Sequence, residues 1–412
     1  MIPKLVFINL LIDSLWSDES FLEKVFDVKS PGTQKLSRVN ERLGRYFAEN
    51  GDYIVCADAS AAQLDSLQAD YLELKSVQWI PVNAELSMVD NFVIEVENQI
   101  RQNPPDTILI AGVSRLELSL VEKLNLAPLS SGGNLLLLKR LNSKDYLLEL
   151  ATKLQINIPK SELVSGAQIT ESNHLYKSLV SSGGSGVYVY EDLERIRLWS
   201  QRRKLLSEWN SSTWLKQETL DREVDINCFG TTESNDFKMV CVKYDKTRLS
   251  YQHDFNFPIE SVAANELELT FNKIRNHLIE KKYVGPFGFD SILTKSGDVF
   301  PIVDLNVRMN KSHVLSQIVS RFKNQRKYTS FFRLRFINNE WPEFTEFWNF
   351  FANQIQIEKL PQTDIFPIDA SFWNEGKSEC LLAIAADDRS SITVVEKWVS
   401  SFLISHKGQG RD

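Results

Sequence analysis

The sequence predicts a protein of mixed α/β and α+β class, in which a small α/β domain with a parallel sheet comes first. Two patterns lead to this prediction. The first 130 residues alternate apolar strand-like runs with helical stretches, which favours a parallel sheet with helices on its faces. Residues 214–303 instead show mostly strand-like alternation, interrupted by one helix near residues 263–281. A chain of 412 residues allows about two or three domains of this kind.

The composition excludes several classes of protein. With 43% hydrophobic and 25% charged residues, the chain has the balance of a globular protein, so wholesale disorder is excluded. The net charge of -7 and the lack of a basic block argue against a nucleic-acid partner. The first apolar run, residues 5–12, is too short for a signal peptide or a membrane span. The four cysteines are widely spaced without a CxxC pair, so we expect a reducing, cytoplasmic location and no membrane partner.

The first domain is predicted from three strands and the helices between them. Continuous apolar runs at 4–11, 53–57 and 107–111 are typical of buried strands. Helical spacing of apolar residues at 37–49 and 88–102 separates these runs. No GxGxxG follows the first strand, so this domain is not expected to hold a dinucleotide in the Rossmann manner.

The rest of the chain divides at a Ser-Ser-Gly-Gly loop, residues 130–133. An amphipathic helix follows at 143–154, where Ser143 is a candidate N-cap and the apolar residues share one face. A second small α/β unit is expected at about 160–215. The last 80 residues are rich in Phe and Trp. They could close a substrate pocket or form the contact of a homodimer, and the sequence does not choose between these roles.

The segment LYKSLVSSGGSGVYVY, residues 175–190, carries the first chemical signal. A short strand with Lys177 leads into a serine-glycine loop at 181–186 and then into a strand at 187–190. Glycines let backbone N–H groups approach an anion, serines add hydroxyl donors, and a neighbouring lysine supplies a positive charge. These properties suit phosphates. The alternative is a flexible hairpin turn, because Ser/Gly runs are common in turns.

The segment 285–313 carries a stronger signal. It predicts a hairpin of two strands, 287–294 and 299–308, joined by the turn Lys-Ser-Gly-Asp. If Gly297 is central in a three-residue loop, residues whose numbers sum to 594 face each other. Asp290 then lies directly across from Asp304.

On this hairpin, Asp304, Asn306 and Arg308 project from one face because side chains of a strand alternate. Asp290 joins them, and the two carboxylates would repel each other. Mg²⁺ relieves that repulsion and accepts carboxylates together with phosphate oxygens and water. Arg308 is placed to clamp a transferring phosphoryl group. The alternative is a hairpin with a polar, solvated face; against it, Asp and Asn are depleted in strands.

Three segments in this order and spacing resemble the ATP-grasp ligases: LYKSLVSSGGSGV, WLKQETLDREVDI and GPFGFDSILTKSGDVFPIVDLNVR. They are similar in particular to the ATP-grasp peptide ligases of the pheganomycin type. The similarity covers residues 140–315 by motif and 1–130 by architecture. It implies an ATP-grasp fold, in which two α+β subdomains clamp ATP, behind an α/β pre-ATP-grasp domain. The implied domains are a pre-ATP-grasp domain at 1–130, a small lid subdomain at 131–215, a large subdomain with the Mg²⁺ site at 216–330 and a C-terminal subdomain at 331–412.

The resemblance also implies which residues bind the nucleotide. Lys144 and Lys177 match the two nucleotide-binding lysines of the family, although Lys177 lacks the proline that usually follows. The serine-glycine loop matches the lid over the β- and γ-phosphates, and a later segment matches the hinge that holds adenine and the carboxylate that binds ribose. The residues concerned are Ser182, Gly183, Gly184 and Gly186 in the lid, Glu218, Thr219 and Leu220 in the hinge, and Glu223 at the ribose.

For the metal, the resemblance implies Asp290, Asp304 and Asn306 as Mg²⁺ ligands, with Asp304 standing where a glutamate is more usual. Arg308 and Lys177 would act on the transferred phosphate. The implied activity is ATP-dependent joining of a small-molecule acid and amine, amino acids or peptides of a biosynthetic pathway, through an acyl phosphate. Two alternatives are a ligase that loads an amino acid onto a carrier protein and a nucleotide-binding regulatory protein without turnover.

Overall fold

The structure is a computed structural model of the chain. Its described residues form three β-sheets, against which the helices pack. Within this part of the chain, no helix is long and apolar enough to cross a membrane. The structure describes residues 2–10, 38–56, 61–82, 89–129, 134–179, 186–245, 250–255, 259–336, 341, 343–358, 360, 362–373 and 378–405.

The first sheet has five strands: β1 (Lys4–Phe7), β2 (Tyr53–Cys56), β3 (Gln78–Pro81), β4 (Thr107–Ile110) and β5 (Ala127–Pro128). All neighbours are parallel, in the order β3-β2-β1-β4-β5. The predicted parallel sheet is therefore confirmed, and β1, β2 and β4 are its three predicted strands. The sequence does not predict β3 and β5, which are short and lie at the two edges.

The helices of the first domain are a 3₁₀ helix (Arg38–Tyr46), α1 (Ala61–Gln68), α2 (Val89–Ile100) and α3 (Arg115–Lys123). The predicted helices at 37–49 and 88–102 correspond to the 3₁₀ helix and α2. The helix α3 begins with a capping box, because the Glu117 carboxylate accepts from the Ser114 backbone N–H at 2.9 Å.

Two helices, α4 (Leu135–Leu141) and α5 (Lys144–Leu154), follow the first domain. The helix α5 confirms the prediction for 143–154, and its buried face includes Leu147 and Leu150. Ser143 stands at the N-cap position, but the prediction that its side chain caps the helix is wrong. Its hydroxyl donates backwards to the Arg140 carbonyl at 2.7 Å.

The second sheet is antiparallel and belongs to a small unit, residues 161–218. Its strands are β6 (Ser161–Ser165), β7 (His174–Ser178), β8 (Val187–Tyr188) and β9 (Thr213–Glu218), in the order β6-β9-β7-β8. Two helices, α6 (Tyr190–Arg202) and α7 (Leu206–Ser211), enclose an apolar core with this sheet. The predicted strand at 187–190 is too long, because Tyr190 already begins α6. The boundary expected at residue 215 falls within β9.

The third sheet, the large sheet, is antiparallel and has eight strands. The helix α8 (Ser261–Glu280) covers one face, as predicted near 263–281, and α9 (Lys311–Ser320) covers part of the other. The strand order is β14-β13-β10-β11-β12-β15-β17-β16, with β10 (Arg222–Thr231), β11 (Lys238–Asp245), β12 (Ser250–Asp254), β13 (Pro286–Thr294), β14 (Val299–Asn306), β15 (Tyr328–Phe336), β16 (Thr363–Trp373) and β17 (Ser378–Ala386).

The C-terminal residues continue this sheet. The boundary expected at residue 330 falls within β15, and β16 and β17 lie beyond it. The helices α10 (Phe344–Ile357) and α11 (Arg389–Ser405) pack on these strands through aromatic side chains such as Phe347, Phe351 and Phe402. The Phe- and Trp-rich composition of this region therefore supplies a core of its own.

The first domain is held to the large sheet by hydrogen bonds. The Tyr46 hydroxyl donates to the Ile368 carbonyl on β16 at 2.8 Å. Near the other end of the sheet, the Met309 N–H donates to the Ala111 carbonyl at 2.8 Å. Since Ala111 directly follows β4 and Met309 comes three residues after β14, the carboxyl end of the parallel sheet lies beside the end of β14.

Candidate active site

The strands β13 and β14 place two carboxylates opposite each other. Asp290 pairs with Asp304, and Gly288 pairs with Asn306. This is the register that the sequence predicts. Behind this polar face, Leu305 and Val307 are buried in the core that the sheet shares with α8. The hairpin therefore has one apolar face and one face that carries the candidate ligands.

The turn of the hairpin differs from the prediction. Leu293 pairs with Val299, so the three-residue loop is centred on Ser296 and Gly297 is its last residue. That pairing is two residues out of step with the pairing at Asp290, and an irregularity between Asp290 and Ile292, opposite residues 301–303, accounts for the difference. Pro301 has no N–H for the ladder, and its carbonyl accepts from the Ser291 hydroxyl at 2.7 Å. An offset of two residues preserves the face, so the predicted faces are correct although the predicted loop is wrong.

The two carboxylates have different electrostatic surroundings. Burial, and then the charge of Asp304, raise the pKa of Asp290 to about 6. Burial alone would also raise the pKa of Asp304, but the charges of Lys144 and Lys177 outweigh it and hold that pKa below its usual range. At neutral pH Asp304 is therefore ionised, and this part of the site attracts cations.

Two lysines reach these carboxylates from other elements. Lys144, the first residue of α5, is buried and forms an ion pair with Asp304. Lys177, on β7 of the small unit, is also buried, and its Nζ donates to the Val303 carbonyl at 3.0 Å. Burial lowers the pKa of Lys177 to about 8, against the opposing effect of Asp304. The structure thus brings both predicted lysines to β14.

Asn306 ends β14, which stops two residues short of the predicted strand, and Arg308 lies just beyond it. Arg308 is buried, and its Nη2 donates to the Asn306 Oδ1 at 3.1 Å. Its Nη1 donates to the Met309 carbonyl at 3.1 Å. The guanidinium is therefore fixed next to a candidate metal ligand, at the junction with the first domain.

The predicted hinge residues lie in the connection between the small unit and the large sheet. Glu218 ends β9 and accepts from the Lys160 N–H at 2.7 Å, and Thr219 donates to the Asn173 carbonyl at 3.0 Å. Leu220 accepts from the N–H of residue 222, and Glu223 is exposed near the start of β10. These contacts hold the connection in place, and none of them reaches Asp290 or Asp304.

Most of the predicted lid lies outside the described residues, including Ser182, Gly183 and Gly184. Gly186 is described; it is buried, and its carbonyl accepts from the Ser178 N–H at 2.9 Å. That bond joins the end of the loop to the end of β7, one residue after Lys177.

Several polar residues at the site are absent from the sequence-based prediction. Asn227 on β10 pairs directly with Asp290 and donates to its Oδ1 at 2.5 Å. Asp225, on the same face, has an Oδ1 that is buried without a hydrogen-bond partner. Asn142, just before α5, accepts from the Val307 N–H at 2.8 Å. The signal for the first two was present, because Asp225 and Asn227 alternate within a strongly β-forming run just as Asp304 and its neighbour Asn306 do.

The donor set suits a hard divalent cation. Among the described residues, no three carboxylate, imidazole or thiolate side chains converge on one point. The polar face of the hairpin offers two carboxylates and one amide oxygen, from Asp290, Asp304 and Asn306. Mg²⁺ is commonly held by one or two carboxylates and completes its shell with phosphate oxygens and water. Repulsion by Asp304, which adds to the effect of burial in raising the pKa of Asp290, is the interaction that such a cation would relieve.

Comparison with solved structures identifies the fold. A structure of N5-carboxyaminoimidazole ribonucleotide synthetase in an ADP complex superposes with a TM-score of 0.55 and 12% identity, over 99% of both chains. The N5-carboxyaminoimidazole synthase from Aspergillus clavatus gives a TM-score of 0.53 and 10% identity, over 97% of this chain and 98% of that one. Biotin carboxylase from Campylobacter jejuni gives 0.51 and 11%, over 95% and 90%. No protein-family model and no curated protein matches the sequence.

The chain has the ATP-grasp fold.

The three sheets of the chain correspond to the parts of the ATP-grasp fold. The small unit and the large sheet are its two α+β halves, and the parallel-sheet domain is the pre-ATP-grasp domain that precedes them. Lys177 comes from the small half, and Asp290 and Asp304 come from the large half. The predicted fold class is therefore confirmed. The charged side chains meet where the two halves of the ATP-grasp fold meet.

Proposed function

We propose that the chain is an ATP-dependent carboxylate–amine ligase that forms an amide or peptide bond through an acyl phosphate. The observation that carries this proposal is the convergence of two buried lysines with two opposed carboxylates between the halves of an ATP-grasp fold. Lys144 contacts Asp304, and Lys177 reaches the carbonyl of the residue before it. Such a set of charges is complementary to the phosphate chain of a nucleotide and its metal ion, and it would not favour an apolar ligand.

The similar structures support the nucleotide part of the proposal. The Aspergillus clavatus synthase is a complex with ADP and 5-aminoimidazole ribonucleotide, and the biotin carboxylase is a β-γ-ATP complex. We infer ATP and Mg²⁺ for this chain from the fold together with the donor set.

Within the proposal, the charged residues divide between phosphate and metal. Lys144 and Lys177 hold phosphate oxygens, and Arg308 steadies the phosphoryl group that is transferred. Mg²⁺, held by the hairpin ligands Asp290, Asp304 and Asn306, would neutralise phosphate charge. The hinge at 218–220 would bind the adenine edge, Glu223 the ribose hydroxyls, and the serine-glycine loop, including Ser182, Gly183, Gly184 and Gly186, the β- and γ-phosphates.

The proposed reaction has two displacement steps. The substrate carboxylate attacks the γ-phosphorus of ATP, which forms a C–O–P linkage and releases ADP. The amine then attacks the acyl carbon, and inorganic phosphate leaves as the amide bond forms and the amine loses a proton. No protein nucleophile takes part, and the four cysteines of the chain are all buried. The protein contributes positioning and electrostatic stabilisation, as in other phosphoryl transfers.

We propose amino acids or peptides as the acid and amine, on the strength of the resemblance to pheganomycin-type ligases. The carboxyl end of the parallel sheet lies beside Arg308, since Met309 binds the carbonyl of Ala111. In open α/β sheets, ligands bind outside the carboxyl ends of the strands. The acid substrate would therefore lie between the first domain and Arg308.

ADP release with a panel of amino-acid pairs tests the proposal. The parent protein is compared with an Asp304→Ala, Asn306→Ala double variant and with Asp90→Ala, which removes an exposed carboxylate on α2. We expect ADP release with at least one pair in the parent and in Asp90→Ala, and a loss of at least 100-fold in the double variant, in line with the charge stabilisation that a metal ion supplies.

Calorimetry with MgADP separates the alternatives. A folded parent that binds MgADP but releases no ADP with any acid and amine would indicate the regulatory protein. Release that requires an added carrier protein would indicate the carrier-loading ligase. A folded parent that binds no MgADP would overturn the proposal as a whole.

A further inference from the structure

A chain of hydrogen bonds runs from the beginning of α9 to Asp290. Asn310 is the N-cap of this helix, and its Oδ1 accepts from the His313 N–H at 3.3 Å. Its Nδ2 donates to the Asn227 Oδ1 at 3.1 Å. The Nδ2 of Asn227 in turn donates to the Asp290 Oδ1 at 2.5 Å. Both asparagines are buried, with 8% and 6% of their surface exposed, so water does not compete for these bonds.

The two ends of the chain favour one direction of donation. A backbone N–H can only donate, and an ionised carboxylate can only accept. With the His313 N–H donating at one end and Asp290 accepting at the other, the two amides have the orientation that satisfies both ends; the His313 Nδ1 also lies 2.7 Å from the Asn310 Oδ1. Asn227 thus presents its N–H to one carboxylate oxygen, Oδ1. No described residue donates to Oδ2 of Asp290.

A glycine, Gly288, stands at the point of β13 that the Asn310 side chain passes. A Cβ at Gly288 would lie 2.6 Å from the Nδ2 of Asn310 and 2.9 Å from the carbonyl oxygen of Cys228. Real Cβ atoms do not approach other atoms this closely. The missing side chain therefore leaves the space through which Asn310 reaches Asn227.

The two carboxylates are thus supported in different ways. Asp304 is paired with Lys144, a cation that a metal ion would have to displace from that oxygen. Asp290 is held from behind by a neutral amide, which fixes the carboxylate without cancelling its charge. Partners of this kind orient metal ligands and commonly matter for affinity nearly as much as the ligands do.

We propose that Asn227 and Asn310 are positioning residues for the metal ion: together they hold Asp290 by one oxygen and turn the other towards the site. This inference rests on the proposed function, because it takes Asp290 as a Mg²⁺ ligand. Neither asparagine touches the metal or the nucleotide in this proposal. Their effect is expected in the Mg²⁺ dependence of nucleotide binding, and not in the binding of nucleotide without metal.

Three variants test the proposal. Asn227→Leu removes the donor to Asp290 while keeping a side chain of similar shape. Asn310→Ser keeps an N-cap oxygen for α9 but is too short to reach Asn227. Thr232→Val is the matched control: it removes a buried hydrogen bond beyond the end of β10, where the Thr232 hydroxyl accepts from the Gly285 N–H at 2.9 Å, far along the strand from Asp290.

The readout is the Mg²⁺ concentration at which ADP binding is half-maximal, measured by calorimetry, together with the affinity for ADP without Mg²⁺. We expect Asn227→Leu to raise the required Mg²⁺ concentration by roughly 10- to 100-fold, the range typical of such partners, and Asn310→Ser to raise it less. The affinity for metal-free ADP stays at the parent value in both, and Thr232→Val matches the parent in both measurements.

Two results would overturn the proposal. One is that both asparagine variants only lower the midpoint of thermal unfolding, as Thr232→Val does, with the Mg²⁺ dependence of the parent. The other is an equal loss of ADP affinity with and without Mg²⁺. If Asn227→Leu does not fold, Asn310→Ser decides alone, because its helix cap is intact. A parent that binds no MgADP is a failure of the proposed function, and that result is visible before any variant is made.

Discussion

Lys144 and Asp304 form an ion pair that joins the first residue of α5 to β14, across 160 residues of sequence. The lysine is almost fully buried, and the side chain of Asp304 is 28% exposed. Each side chain compensates the charge of the other in the protein without ligands. Under the proposed function the pair separates when nucleotide binds, because Lys144 then holds phosphate and Asp304 holds metal.

This ion pair gives a prediction about stability. Asp304→Ala leaves Lys144 buried without its partner, and we expect a loss of about 2 kcal/mol in the free energy of unfolding. This is below the 3–5 kcal/mol typical of fully buried pairs because Asp304 is partly exposed. A Lys144→Met, Asp304→Ala double variant should lose less than the sum of the two single variants. Urea unfolding of all four proteins measures the coupling, and additivity within about 0.5 kcal/mol would contradict it.

The turn between β13 and β14, the two strands that carry Asp290 and Asp304, depends on Gly297. Its φ of 88° lies in the left-handed region, and an added Cβ would meet no atom within 4 Å. Gly297→Ala should therefore destabilise the protein by about 1 kcal/mol through backbone strain alone. Gly297→Asn should cost less, since Asn tolerates this conformation. Equal unfolding midpoints for the parent and Gly297→Ala would show that the turn does not have this conformation.

The stability of the fold should fall in mild acid because of His253. Burial, and then the charges of Lys311 on α9 and of Arg333 on β15, lower the pKa of His253 to about 3. An unfolded histidine has a pKa of about 6.5, so below that pH the unfolded chain binds a proton that the folded chain does not. The stabilisation is complete above pH 6.5 and is lost as the pH falls towards 3.

His253→Gln isolates this effect. Between pH 7 and pH 5 the parent should lose about 2 kcal/mol more stability than the variant, at about 1.4 kcal/mol per pH unit below 6.5. Urea unfolding at pH 7, 6 and 5 measures the difference. Parallel pH dependence in the two proteins would mean that His253 has the same pKa in the folded protein as in the unfolded chain.

Removal of the C-terminal residues should unfold the large sheet. A chain that ends at residue 327 lacks β15, β16 and β17, and it exposes the edge of β12. It also loses the β16 carbonyls that bind Tyr46 and Gln68 of the first domain. We expect this truncated chain to be insoluble or to lose cooperative unfolding, in contrast to the parent. Thermal unfolding and limited proteolysis compare the two, and a cooperative, protease-resistant chain 1–327 would contradict the expectation.

The sequence predicts the hairpin of the site well because its information is local. Alternation of polar and apolar residues determines which side chains share a face, and it places Asp304 and Asn306 on one face as predicted. The pairing of Asp290 with Asp304 is also as predicted, but the predicted loop is wrong by one residue in its centre, and the irregularity between Asp290 and Ile292 offsets that error. Such an irregularity cannot be read from turn residues alone. The same alternation rule, applied to β10, would have identified Asn227.

Other features depend on contacts that are distant along the chain. The pairing of β12 with β15, whose paired residues are 76 to 80 positions apart, makes the C-terminal strands part of the large sheet, and no local pattern specifies it. The role of Asn310 is of this kind too, since it acts across 83 residues on Asn227. A short polar residue before a helix is normally only a cap.

The bond between Met309 and Ala111 joins the first domain to the large sheet beside the candidate site. Arg321, just after α9, also donates to the Tyr46 carbonyl. The first domain is therefore hydrogen-bonded to the large-sheet part of the molecule at more than one point. The small unit is joined to the rest of the molecule through the chain at 155–160 and at 219–221, through the Lys144 N–H, which donates to the Leu179 carbonyl at 2.9 Å, and through the Lys177 side chain. We expect the movement that admits or releases a nucleotide to be a movement of the small unit, with faster hydrogen exchange at residues 155–160 and 219–221 than at the bond between Met309 and Ala111.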